Sequence, residues 1–258
     1  MPSFFLIFSF ILGTIIGSFL NVVALRYNTG MTLKGRSKCF SCGNSLSWHE
    51  LIPVFSFLFQ KGTCKSCKSK ISWQYPFVEV LAGLCFFMIF YMFPPLTAAQ
   101  SFLTVFYLLI TCIMLVITIY DIKHKIIPDA LSYTFAALAL VKLFITPELS
   151  FALPSLVDVL AGPILAAPFA LMWLLSKGTW MGLGDAKLVL GIGWVLGLIA
   201  GISAIVLAFW IGAIVSLIWM YVVMKRFKAR YEIPFGPYLI LGMYLVLFFG
   251  IRVIELPL

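Results

Sequence analysis

Acidic side chains are scarce in this chain: nine Asp and Glu in 258 residues, against eighteen Lys and Arg. Charged residues occupy only 10% of positions and hydrophobic residues 63%, which excludes an ordinary soluble domain. No cation precedes Arg26, and no small-residue cleavage pattern follows the first apolar run. That run, 4–25, is therefore expected to stay as a span rather than leave as a signal peptide. Neither a low-complexity tract nor an internal repeat is evident.

What remains is apolar. Candidate spans fall at roughly 4–25, 77–93, 100–120, 130–146, 157–176, 186–200, 201–224 and 237–254, most of them long enough to cross ~30 Å of hydrocarbon. The sixth is marginal, and its boundary rests on the glycine-bearing turn at 197–201. The expected fold class is an all-α polytopic membrane protein of about eight transmembrane helices. A small polar loop separates the first two.

Cations follow the odd-numbered spans. Arg26, Lys34, Arg36, Lys38, Lys61, Lys65, Lys68 and Lys70 come after the first, and Lys123 and Lys125 after the third. Lys177 and Lys187 flank the turn after the fifth; Lys225, Arg226, Lys228 and Arg230 follow the seventh. Connections 92–101, 146–156 and 197–201 carry none, and Lys142 and Arg252 are the two exceptions. The positive-inside rule makes the basic side cytoplasmic and the N-terminus external. The net charge of +9 thus reports orientation and attraction to anionic lipid; no nucleic acid is needed to explain it.

The polar loop holds two Cys-x-x-Cys pairs, Cys39/Cys42 and Cys64/Cys67, separated by 21 residues. Two such knuckles can present four thiolates tetrahedrally to zinc. A loop this small and polar cannot bury a core alone, whereas metal can supply on the order of 10–16 kcal/mol of folding free energy. A cytoplasmic setting argues against disulfides, and Lys38, Lys65 and Lys68 favour the thiolate form. Four thiolates close the coordination sphere, so the metal role expected is structural. Cys85 and Cys112 lie alone within spans and behave as small apolar residues.

Two aspartates stand at span ends on the basic side: Asp121, closing the third, and Asp185, opening the sixth within Gly182-Leu183-Gly184-Asp185. Carboxyls brought close cannot both ionise readily and share one proton. Such a pair activates water with one member while the other polarises a carbonyl, the chemistry of aspartic proteases. Helix capping would account for Asp185 in isolation, and for Asp129 after Pro128. Asp121 is harder to explain structurally, because a negative charge opposes the macrodipole at a helix C-terminus; pairing with Lys123 or Lys125 is the structural alternative. Gly182 and Gly184 permit tight turning and close approach before Asp185.

In order along the chain stand Gly17-Ser18-Phe19-Leu20-Asn21-Val22-Val23 with Arg26, the two knuckles around Ile52-Pro53-Val54-Phe55-Ser56, and Tyr75-Pro76-Phe77-Val78-Glu79. Asp121 with Ile127-Pro128-Asp129, Gly182-Leu183-Gly184-Asp185-Ala186-Lys187-Leu188 and Pro234-Phe235-Gly236-Pro237 follow. This set, over nearly the full length, resembles the type IV prepilin peptidases, bifunctional leader peptidase/N-methyltransferases of the GxGD aspartic protease class. Two departures are minor: Cys39-Phe40-Ser41-Cys42 lacks the proline common after the first cysteine, and Tyr27 stands where Leu-Pro often begins.

The resemblance implies that Asp121 and Asp185 are the catalytic pair and Asp129 is not. It implies a bacterial inner-membrane enzyme, with the loop and both aspartates on the cytoplasmic side. That enzyme would cleave the short basic leader of prepilins or pseudopilins and then methylate the new N-terminus with S-adenosylmethionine. No glycine-rich strand–helix motif marks the methyl-donor site; Glu79, at the mouth of the second span, is the candidate, with a helix-start charge complementing the dipole as its structural alternative. The expected organisation is a first helix at 1–26, a zinc-binding loop domain at 27–76 and a seven-helix peptidase core at 77–258. Two other functions fit parts of the pattern: a general GxGD intramembrane protease, and a transporter or scaffold with a zinc-stabilised loop.

Overall fold

A computed structural model describes residues 3–146, 149–224 and 233–253. The helices are α1 (Ser3–Arg26), α2 (Phe55–Phe59), α3 (Gln74–Met92), α4 (Ala98–His124), α5 (Asp129–Leu143), α6 (Leu156–Ser176), α7 (Leu183–Leu196), α8 (Leu198–Trp219) and α9 (Gly236–Phe249). Among the described residues there is no strand, only isolated bridges. The basic residues at 225–230 lie outside the described residues.

Among the described residues, five helices are long and apolar enough to cross a membrane: α1, α3, α4, α6 and α8 with its π-helical extension to Val222. The α5, α7 and α9 helices have 15, 14 and 14 residues, short of the ~20 that a perpendicular crossing needs. The chain is a multi-pass membrane protein; its helix positions follow the eight apolar runs, but length alone supports five crossings.

Two compact units divide the chain, Met1–Val116 and Ile117–Leu258. In the first, α1 lies against α3 through Gly13 and Gly17. A Cβ at either would come within 2.7 Å of Ala82, so these small residues let the backbones meet, the usual device where lipid supplies no hydrophobic drive. Fully buried Asn21 then ties α1 to the start of α3, donating to the Gly17 and Tyr75 carbonyls at 3.3 and 3.4 Å and accepting from Gln74 at 3.4 Å.

In the second unit α7 is the central element, packed on α5 and α6. Of the small residues along it, Gly191 faces Phe135, and a Cβ on Gly193 would meet the Gly162 backbone at 2.7 Å. Gly197 differs: with φ of 79° it makes the turn from α7 into α8, a conformation that glycine adopts without the Cβ penalty.

Candidate functional site

Asp121 and Asp185 both belong to the second unit and both are turned inward, 3% and 8% exposed. They lie within electrostatic reach of one another. Asp121 occupies the last turn of α4, and its Oδ2 accepts the Gly236 backbone N–H at 3.1 Å. Gly236 is the first residue of α9, so the positive end of that helix points at the carboxyl, an arrangement that stabilises negative charge. Asp185 is the third residue of α7, whose N-cap position is Gly182 with no side-chain cap. Capping therefore does not explain Asp185. Its Oδ1 is buried without a hydrogen-bond partner, and an orphaned buried oxygen of this kind is costly unless it serves a role.

Ile127 holds these segments in register. The chain turns at Lys125 (φ 56°) and buries Ile127 between two glycines. A Cβ on Gly184 would stand 2.8 Å from Ile127 Cβ; one on Gly236 would stand 2.7 Å from Asp121 Oδ2 and 3.1 Å from Ile127 Cδ1. The residues before Asp185 and at the start of α9 must thus lack side chains for three elements to converge on the carboxyls.

Asp129 does not cap α5. Pro128 occupies the N-cap position in extended conformation, so Asp129 falls in the first helical turn. Its Oδ1 accepts from Lys187 Nζ at 2.7 Å, and Lys187 also lies 4.7 Å over the Tyr133 ring. The pair fastens the N-terminal ends of α5 and α7 together. Sequence reading left Lys187 without a role inside the motif, because its partner is 58 residues away.

In the first unit the four thiols of Cys39, Cys42, Cys64 and Cys67 lie within 4.8 Å of one another. Two matching knuckles, 25 residues apart, bring them there. Cys39 N–H donates to the Asn44 carbonyl and Gly43 N–H to the Cys39 carbonyl, each at 2.9 Å; Cys64 N–H donates to Ser69 at 2.8 Å and Lys68 N–H to Cys64 at 2.9 Å. Gly43 and Lys68 hold equivalent left-handed positions, φ 72° and 59°. This short structural repeat escaped the sequence because only the cysteines coincide conspicuously.

The backbone N–H groups of Cys42 and Ser41 draw the Cys39 thiol down to about 6, and Ser69 lowers Cys67. Against the pull of the Asn44 N–H, desolvation and the neighbouring thiols push Cys42 up to about 11. Four sulfurs so close cannot all deprotonate unless a cation joins them. The Cys39–Cys67 separation of 3.8 Å also matches the edge of a tetrahedron with metal–sulfur bonds of about 2.3 Å, roughly 3.8 Å. The donor set fits a metal ion of zinc type.

Residues 11–93 match the model of the bacterial peptidase A24 N-terminal domain, and residues 108–217 that of the type IV leader peptidase family. The prepilin leader peptidase/N-methyltransferase of Vibrio cholerae serotype O1 is 31% identical over 265 residues, covering 98% of this chain and 99% of the relative. The chain belongs to the type IV leader peptidase family. Family members of the same name from Bacillus subtilis strain 168 and Xanthomonas campestris pv. campestris are 30% and 28% identical, covering 95% and 91% of those relatives. No solved structure matches the chain significantly. The leader peptidase match places Asp121 and Asp185 within one family segment, and the four cysteines within the other.

This family member also has a cleft of about 560 Å³ in its first unit, bordered by Ser18, Arg26, Glu50, Phe57, Tyr75 and Glu79. Glu79 is not a helix-start charge: α3 begins at Gln74, and Glu79 is buried in its second turn. Its Oε2 accepts the Val54 N–H at 2.7 Å, and Ser18 bonds the same carboxyl. Val54 has φ 62° and ψ −52°, and Phe55 N–H reaches the Pro53 carbonyl across it. That is a γ-turn of the rare positive-φ kind, strained for a β-branched residue. The cleft thus has a buried carboxylate on its wall and lies within the size range of small-molecule sites.

Proposed function

We propose that this enzyme is an aspartic endopeptidase that removes the short basic leader of type IV prepilins or pseudopilins at the cytoplasmic membrane face. What carries the reading is the burial of Asp121 and Asp185 within electrostatic reach of one another in one unit. Oδ2 of Asp121 accepts an N–H at the start of a helix, which favours the ionised form of that carboxyl. The shared proton then belongs with Asp185, whose Oδ1 lacks a protein partner and would donate to the scissile carbonyl. Asp121 takes a proton from water as its oxygen adds to the carbonyl carbon. As the tetrahedral intermediate collapses and the C–N bond breaks, one of its hydroxyl protons returns to Asp185 and the proton held by Asp121 passes to the leaving amine, restoring the singly protonated pair.

The distribution of cations supports an external N-terminus, with the cysteine module and both aspartates cytoplasmic. Eight crossings satisfy it, with α5, α7 and α9 as short spans in a locally thinned bilayer. Cys39, Cys42, Cys64 and Cys67 would hold a structural zinc, whose closed thiolate shell leaves no open coordination position.

The names of the relatives support a second activity, N-methylation of the new N-terminus. S-adenosylmethionine, when bound, supplies an electrophilic methyl group. Glu79, on the wall of the cleft, would orient the substrate α-amine and accept the proton that the ammonium must lose before its nitrogen can attack.

The decisive experiment is cleavage of a prepilin by Asp121→Asn and Asp185→Asn in reconstituted membranes, followed by gel shift. Each variant should remain folded and leave the substrate uncut. Normal processing by either one refutes the aspartic mechanism.

A further inference from the structure

The cysteine module carries an apolar surface that the proposed chemistry does not use. Helix α2 turns Phe57 inward, 7% exposed, while Phe55, Leu58 and Phe59 face out, Phe59 at 84%. These three recur at helical spacing on one side, the pattern of an amphipathic face. Large apolar side chains grouped in this way on a polar module mark a surface that something covers.

Two observations identify what covers it. The first is height. Phe57 meets the Trp73 ring edge-on at 4.8 Å, and Trp73 is the residue immediately before α3. Trp73 is itself 74% exposed, and Phe77, in the first turn of that apolar span, is also exposed. The contact therefore sets α2 beside the point where α3 begins its apolar run. Tryptophan at this level belongs to the aromatic belt of membrane proteins, and phenylalanine beside it reaches the acyl region.

The second is charge. Lys61, Lys65, Lys68 and Lys70 follow α2, all exposed. Glu50 is the one acid between residues 27 and 76, and its carboxylate is engaged by the Ser47 hydroxyl and N–H. An aromatic-apolar face beside unneutralised lysines fits an anionic phospholipid surface, with ring and Leu side chains among the upper acyl chains and ammonium groups at the phosphates.

We infer that α2 and the second cysteine knuckle rest on the anionic headgroup layer, anchored by Phe55, Leu58, Phe59 and Trp73 and held by Lys61, Lys65, Lys68 and Lys70. Docked in this way, the module forms a collar at the mouth of α1 and α3 instead of hanging in the cytosol. The inference is independent of the peptidase chemistry.

The test places the photoreactive residue p-benzoylphenylalanine at position 59 of the full-length, metal-loaded protein. Nanodiscs of phosphatidylcholine alone are compared with discs that also contain phosphatidylglycerol, and adducts are identified by mass spectrometry. Phospholipid adducts should dominate. They should exceed those in neutral discs by roughly fivefold or more, the affinity change expected for one lysine near an anionic surface. High salt, which screens exposed charge without altering the fold, should bring the yield back toward the neutral-disc level. Replacing Lys61, Lys65, Lys68 and Lys70 with Gln should do the same. Adducts to protein in place of lipid, absence of adducts, or equal lipid yields in the two discs would each overturn the inference.

Discussion

Substituting Gly184 by Ala separates the proposed catalytic geometry from mere membership in a motif. The new Cβ would lie 2.8 Å from Ile127 Cβ, with Cγ1 and Cδ1 at 3.5 and 3.6 Å. Because Ile127 Cβ is bonded to the backbone, no rotamer change relieves the contact; the 125–128 loop or the start of α7 must retreat by more than half an ångström. Overpacking of this kind costs about 1–3 kcal/mol, offset by up to about 1 kcal/mol from replacing a helical glycine. The net stability loss is therefore modest, about 1–2 kcal/mol. The effect on rate is larger: Asp185 is the next residue and Asp121 begins the segment that ends at Ile127. A misplacement approaching 1 Å costs about a hundredfold in rate, so tenfold or more is expected here. Gly182→Ala is the control, since its Cβ would meet nothing closer than 3.9 Å. It should lose roughly 0.5–1 kcal/mol of capping stability and keep its turnover. Initial rates of prepilin cleavage, with thermal denaturation of each variant, measure both quantities. Equal turnover by the Gly184 variant and native protein, or equal losses in the two variants, would refute the convergence on Ile127.

Cys64→Ser should lower the metal content and melt the module, because a serine oxygen does not replace a buried thiolate; unchanged metal content by elemental analysis would exclude a four-thiolate site. Acidification should release the metal, since proton competition weakens thiolate ligation. Lys187→Met removes the bond to Asp129 and the contact with Tyr133, each worth up to about 1 kcal/mol when exposed. It should lower stability while changing cleavage less than about tenfold, and a thousandfold loss would move Lys187 into the chemistry. Glu79→Gln keeps an acceptor for the Val54 N–H but loses the negative charge; mass spectrometry of the product N-terminus should show cleavage without methylation. Full methylation by this variant would remove Glu79 from that step.

The apolar runs, the cysteine spacing and the scarcity of acids made much legible in the sequence alone. Helix positions depend on local composition, the metal set on a fixed x-x spacing, and a carboxylate at membrane depth stands out because few others are present. Tertiary structure decided the rest. Gly236 reaches Asp121 across 115 residues. Asp129, expected as a cap, became the partner of Lys187, because Pro128 had already started the helix. Glu79, whose structural alternative was a helix-start charge, turned inward in the second turn of α3 to accept the Val54 N–H. The second knuckle uses Lys68 where the first uses Gly43, which hid their common turn. Periodicity and spacing are short-range properties that a linear reading registers. Which backbone N–H meets which carboxyl is fixed only when helices pack, since small residues such as Gly184 and Gly236 set the closeness of approach without encoding what they approach.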